Sequence, residues 1–130
     1  MFIDVHCHLD FLEKEGVKIE DAVVHARKAK VGLIVVNGVN PEHNRKILEM
    51  ASKFKEVRAS LGMYPIDALK LTDKEIADEI KFIEKNKTKI VAIGEIGLDL
   101  KEDSLENGFD KQKKVLEKFV KLGMKLDKPV

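Results

Sequence analysis

Short apolar runs and longer amphipathic stretches alternate along this 130-residue chain, and their two periodicities predict its elements. Phe2 to His6 reads as a strand. Ile19, Ala22, Val23 and Ala26 then recur at helical spacing, with Glu20 and Asp21 in the first turn, where a helix dipole favours acidic side chains. Val31 to Val36 is an almost continuous apolar run, the pattern of a buried strand, closed by Asn37-Gly38. Asn40-Pro41 opens the next helix as N-cap and first helical residue, and Ile47, Leu48, Ala51 and Phe54 form its apolar stripe. Val57 to Leu61 predicts a third strand. Thr72-Asp73-Lys74-Glu75 is a capping box that starts a helix burying Ile76, Ile80 and Ile83. Ile90 to Ile93 is a fourth strand, and a long helix from about Phe109 to Leu126 turns Val115, Leu116, Phe119 and Val120 inward.

Four strand-helix units in succession, with apolar middle strands, imply an α/β fold: one domain over residues 1–130, with a parallel sheet covered by helices. Lys128-Pro129-Val130 follows the last helix like the entry to a fifth strand. A doubly wound sheet would be complete at this point. A closed eight-stranded barrel takes about 250 residues, so in that architecture the chain supplies half.

Composition narrows the classes of function. Apolar residues make up 44% of the chain and charged ones 36%, which suits a soluble domain with its own core. The 24 Lys and Arg nearly cancel the 23 Asp and Glu, so no general basic field advertises nucleic acid, and a phosphate-bearing ligand must be drawn by a local site. No apolar run approaches the roughly twenty residues of a membrane span. Cys7 is the single cysteine, which excludes an internal disulfide and fits a reducing compartment. The opening strand lacks the basic-then-apolar pattern of a secretory leader, and the expected location is cytoplasmic.

Candidate chemistry starts at His6-Cys7-His8. Alternate residues of an extended strand share a face, so Asp4, His6 and His8 are expected on one side and Ile3, Val5 and Cys7 on the other. Two imidazoles side by side give a cation half a coordination shell. The alternative is an outer strand whose wet face simply exposes both rings. Cys7 reads as a small buried hydrophobe.

Parallel α/β folds gather functional groups at the carboxyl ends of their strands. Besides the two histidines, those ends carry Asn37, Tyr64-Pro65 just past Gly62, and Glu95. Glu95 has no cation beside it in sequence and ends an apolar strand, a costly place for a carboxylate without a charged partner. A metal would supply that partner; pairing with a lysine or capping a turn is the alternative. Gly94 and Gly97 permit a tight backbone path, and the polar loop Asp99 to Gly108 suits the rim of a site. Asp99 either orients a ligand or forms a turn. His25 and His43, on predicted helices, are expected to be solvated, as is the Lys-rich face of the last helix.

Phe2-Ile3-Asp4-Val5-His6-Cys7-His8-Leu9, Leu61-Gly62-Met63-Tyr64-Pro65 and Gly94-Glu95-Ile96-Gly97-Leu98-Asp99, with Gln112 and Lys128-Pro129-Val130, resemble the TatD-type deoxyribonucleases. These are metal-dependent hydrolases related to the amidohydrolase superfamily. The resemblance spans the chain, and the Gly-Glu-Ile-Gly-Leu-Asp segment is its most specific part. It implies the amino-terminal half of a TIM-type (β/α)8 barrel. It also implies divalent metal, one to three ions across the family and one or two per full barrel here. Mg or Mn is the first choice, Zn or Ni the second.

The implied reaction is phosphodiester hydrolysis, with DNA cut from a 3′ end as the typical substrate. By position, His6 and His8 would hold one metal, Glu95 would bridge two and act in catalysis, and Tyr64 and Asp99 would contact substrate. The chain departs from the family at Tyr64, where a histidine usually precedes the proline, and at Leu100, where an aromatic residue is common. The family's later ligands, two histidines and an aspartate, have no counterpart in these 130 residues, so the fragment alone is expected to be inactive. Two further readings stand beside the nuclease. One is a related amidohydrolase or lactonase acting on C–N or C–O bonds. The other is a non-catalytic half-barrel that self-associates or pairs with its missing carboxyl-terminal half. DNA is the expected partner and a membrane is not.

Overall fold

A computed structural model describes residues 1–100 and 105–130, with the side chains of all of these except 105–107. The elements in chain order are β1 (Phe2–Cys7), α1 (Ile19–Lys28), β2 (Val31–Asn37), α2 (Pro41–Lys53), β3 (Val57–Leu61), α3 (Pro65–Leu69), α4 (Asp73–Lys85), β4 (Ile90–Ile93) and α5 (Leu105–Leu126). Short 3-10 segments, Leu9–Glu15 and Lys87–Lys89, precede α1 and β4. The four strands lie in the order β1-β2-β3-β4, each parallel to the next. Pro129 extends the sheet by one step, its carbonyl accepting from the Ile93 N–H at 2.9 Å, as expected of the entry to a fifth strand.

The start signals act through their chemistry. Asn40 accepts the His43 N–H at 3.1 Å with Pro41 opening α2, so an otherwise orphaned first-turn donor is satisfied. Thr72 and Glu75 exchange side chain-to-backbone bonds at 2.7 and 3.2 Å, closing the capping box of α4. Periodicity does not reveal Leu9–Glu15 or α3, which are too short to display it. The last helix begins at Leu105 rather than near Phe109, which shortens the polar loop inferred from Asp99 to Gly108; residues 101–104 lie outside the described residues.

Among the described residues, helices cover one face of the sheet only. Ile34, Val36, Val57, Ala59, Leu61, Ile90 and Ile93 meet Val23 of α1, Ile47 and Met50 of α2, Ile76 and Ile83 of α4, and Val115, Phe119 and Leu122 of α5 in a single core. The opposite face is open. Ile3, Val5, Leu33, Val35 and Val91 line a concave cavity of about 670 Å³, with Val5 71% exposed. The apolar run of β2 therefore corrects the expectation of a strand buried on both sides: Ile34 and Val36 fill the core, and Leu33 and Val35 line the cavity. An open apolar face between outer strands is the inner wall of an arc rather than one face of a doubly wound sheet.

A polar network buried beneath α2 joins helix to loop. The Asn44 amide donates to the Gly62 carbonyl at 2.9 Å and to Glu79 Oε1 at 2.8 Å, and accepts the Gly62 N–H at 3.3 Å. Arg45 neutralises the same carboxylate at 2.5 Å, which removes the penalty of burying it unpaired. The turn after β3 is thereby fixed to α2 and α4.

The two faces are distinguished by mutation. Phe119→Ala, at a fully buried site, is expected to cost about 3–5 kcal/mol in urea unfolding, and Val5→Ala less than about 1 kcal/mol. Equal costs would contradict the assignment of the core to one face.

Candidate metal centre

The register of β1 decides where its histidines point. Ile3 pairs with Leu33, Asp4 with Ile34 and Cys7 with Val36, so β1 spends three steps where β2 spends two. This bulge corrects the parity expected from simple alternation. Asp4 and Cys7 share the phase of the core residues Ile34 and Val36, whereas His6 joins Ile3 and Val5 on the cavity side. Asp4 does not share the histidines' side; its carboxylate instead accepts the His6 N–H at 3.1 Å, satisfying an amide at the irregular step. Cys7 packs against the core, as expected of a small hydrophobe. Burial, with the Asp4 charge beside it, pushes its thiol up to about 12 and keeps it protonated.

Three donors converge at the strand ends. His6 Nε2 and His8 Nε2 stand 3.3 Å apart, and Glu95 Oε2 lies 3.3 Å from the first and 3.2 Å from the second. Among the described residues they form the one group of His, Cys, Asp and Glu side chains close enough to share an ion. Donors bound to one cation at about 2.1 Å stand roughly 3.0–3.4 Å apart in octahedral or tetrahedral arrangements, so these separations fit. The tautomer fits as well. His8 Nδ1 bonds the Asn37 carbonyl at 2.9 Å, and since a carbonyl only accepts, the proton sits on Nδ1 and Nε2 presents its lone pair to the shared point. A neutral imidazole pair with one carboxylate is a borderline-hard donor set that suits first-row divalent ions.

Backbone contacts from two neighbouring loops hold Glu95 in place. Its N–H donates to the Gly38 carbonyl at 2.9 Å, and its own carbonyl accepts the Met63 N–H at 2.8 Å. Gly62 makes this possible: a Cβ there would lie 2.4 Å from both the Gly94 carbonyl carbon and the Glu95 oxygen. The glycine of Leu61-Gly62-Met63-Tyr64-Pro65 is thus required by the close approach of the next strand end. Gly94 bonds Leu61 through its N–H and accepts from Ser60 Oγ, completing the link between β3 and the loop after β4.

Tyr64 and Asp99 are brought to each other rather than into the group of three donors: the Tyr64 hydroxyl donates to the Asp99 carboxylate. Gln112 of α5 holds Asp99 by two 2.9 Å bonds to its main chain. His25 is exposed, as expected. His43 is not solvated; its side chain is 13% exposed and its Nδ1 bonds the Asp10 carboxylate, a partner invisible to sequence because 33 residues separate them. Asp10, Asn44, Ser60 and Glu79 are further buried polar residues that strand-end reasoning does not reach. The lysines of α5 are neutralised in part by Asp110, Glu117 and Glu84, consistent with a solvated face.

The family profile described as "TatD related DNase" matches residues 3–130. The chain belongs to the TatD family. Among curated TatD relatives, the uncharacterized metal-dependent hydrolase YjjV of Escherichia coli is 35% identical over 99% of this chain and 49% of its own length. The uncharacterized metal-dependent hydrolase MJ1582 of Methanocaldococcus jannaschii is 31% identical over the same shares. Human deoxyribonuclease TATDN3 is 28% identical over 98% of this chain and 50% of its own. The chain thus spans about half the length of the curated relatives it matches.

The crystal structure of YjjV, a TatD homologue, aligns with TM-score 0.84 and 34% identity over 99% of this chain and 49% of that one. A TatD-family hydrolase from Entamoeba histolytica, at 22% identity, shares the fold with TM-score 0.79 over 95% of this chain and 46% of its own. The four-stranded arc therefore corresponds to about half of a TatD TIM barrel.

Gly62→Ala tests the fixing of Glu95. The added methyl is expected to cost about 1–3 kcal/mol in unfolding and to weaken divalent-ion binding, because the displaced atoms are Glu95 backbone. Unchanged stability and ion binding would contradict the close approach.

Proposed function

We propose that this chain carries the amino-terminal part of the active site of a metal-dependent phosphodiesterase, with DNA as substrate attacked from its 3′ end. The observation that carries this reading is the convergence of His6, His8 and Glu95 within 3.3 Å of one another at the carboxyl ends of parallel strands. The name of the human relative, a deoxyribonuclease, supports it over the amidohydrolase or lactonase reading, and those of the bacterial and archaeal relatives support metal-dependent hydrolysis.

His6, His8 and Glu95 would hold the cation, with Mg or Mn, which carboxylate suits, the first candidates and Zn or Ni, which imidazole suits, the second. A bound divalent ion supplies Lewis acidity and offsets charge that develops on phosphoryl oxygens. The protein's own part is to hold the donors ready. Asn37 fixes the His8 tautomer, and the Gly38 and Met63 backbone fix Glu95, so little ordering remains when ion and substrate arrive. Tyr64 and Asp99 would meet the substrate beside this centre, the Tyr64 hydroxyl exchanging its bond to the Asp99 carboxylate for one to phosphate, since it has a single proton to donate.

The exposed apolar arc supports a second element of the proposal. The concave wall of Ile3, Val5, Leu33, Val35 and Val91 is covered by further β/α units, from a longer polypeptide or from a partner chain, and these supply the remaining ligands. On this reading residues 1–130 form an incomplete barrel domain that binds metal weakly and does not turn over alone.

Mn2+ titration followed by a nuclease assay tests the reading. His6→Ala, His8→Ala and Glu95→Gln are each expected to weaken Mn2+ binding by at least about tenfold. The completed barrel is expected to release nucleotides from 3′-labelled DNA with Mg2+ or Mn2+, and chelator should abolish that release. No metal-dependent cleavage of single- or double-stranded DNA would end the nuclease reading, and ion binding unaffected by all three substitutions would end the metal reading.

A further inference from the structure

The ring of His8 is held by more than its bond to Asn37. We propose that Asp10, Phe11 and His43 form an aromatic brace that sets the plane of the His8 imidazole, which makes them positioning residues for this centre. The consequence for metal rests on the reading of His8 as a ligand given above; the brace itself rests on geometry alone.

The 3-10 segment after β1 folds Phe11 back over the histidine it follows, the Phe11 N–H donating to the His8 carbonyl at 3.1 Å. The two rings then stack at 5.0 Å between centroids and 16° between planes. His43, from α2, meets the Phe11 ring edge-on at 5.0 Å and 86°. Its Nδ1 bonds the Asp10 carboxylate, whose side chain is 1% exposed. The sequence of contacts therefore runs from a buried carboxylate through two rings to the imidazole beside Glu95.

Each contact removes a freedom that the next requires. Imidazole χ2 lies in a broad well, so rotamer preference alone does not fix a ligand's plane. The bond from Nδ1 to Asn37 fixes one point of the His8 ring and leaves it free to tilt about the N···O line. A ring lying flat against its face removes that tilt. Phe11 in turn is kept from sliding by the edge of His43, an arrangement aromatic quadrupoles favour.

Asp10 carries a cost that ordinary packing would avoid: its Oδ1 is buried with no hydrogen-bond partner among the described residues. A carboxylate placed in that way pairs strongly with the nearest donor, which here is His43. An aliphatic cluster would fill the same volume without that cost but would not dictate the orientation of a ring.

Histidine-labelled protein and a Mn2+ titration test the brace through two readouts. In metal-free protein, Phe11→Leu is expected to move the His8 ring-proton resonances downfield, because the shielding of a stacked ring is lost. The same variant is expected to lower Mn2+ affinity by about tenfold, as loss of an outer-shell support does. Phe11→Tyr, which keeps the ring, should restore both, and His43→Ala should shift the His8 resonances in the same direction as Phe11→Leu. If His43→Ala fails to fold, the two Phe11 variants decide the matter. Unaltered His8 resonances and unaltered Mn2+ affinity in Phe11→Leu would overturn the brace. Should the unaltered protein bind no Mn2+, the metal reading fails, and the His8 resonances still decide whether the brace exists.

Discussion

Two imidazole nitrogens and a carboxylate oxygen held within 3.3 Å of one another, at the end of an apolar sheet, form the constraint on which the rest of the structure depends. Left to themselves these groups would spread into water, since a carboxylate and two ring nitrogens gain more from hydration than from crowding. The fold prevents this by attaching each donor's backbone or ring to a neighbour. An extra residue in β1 turns His6 toward the cavity, a carbonyl at the end of β2 fixes His8, and a loop after β3 holds the main chain of Glu95. Three successive strands thus each contribute one positional element.

Those attachments explain features with no role in the core. Gly62 is where two backbones come too close for a side chain, and Asn44 beneath it satisfies both polar groups of that glycine while binding Glu79. The pairing of exposed Arg45 with buried Glu79 is then part of the support for a loop rather than an isolated ion pair. On the other side of the centre, Asp10 and His43 tie the segment after β1 to α2. Polar groups are buried in this domain mainly where they steady the strand ends, in keeping with preorganised sites on rigid elements.

Much of this was legible in the sequence because the signals were local. Strand positions, the Asn40-Pro41 start and the Thr72–Glu75 box depend on neighbours within four residues, and all were found. Glu95 was legible from energetics, as a carboxylate ending an apolar strand with no cation in sequence. Local rules mislead wherever a long-range contact overrides them. Alternation put Asp4 beside the histidines, and a bulge set by pairing with β2 put it on the other side. His43 read as a solvated helix residue because its partner, Asp10, lies 33 positions away. The run Val31 to Val36 announced burial on both faces, yet the wall formed by Leu33 and Val35 is open. That mismatch between sequence pattern and exposure agrees with an arc matching half of a TatD barrel.

X-ray absorption of the Zn2+-loaded protein tests the central claim most directly, because it counts the atoms around the ion. The account predicts a first shell with two imidazole nitrogens, falling to one in His8→Ala, with the remainder oxygen. A shell of oxygen alone, or one unchanged by His8→Ala, would contradict it.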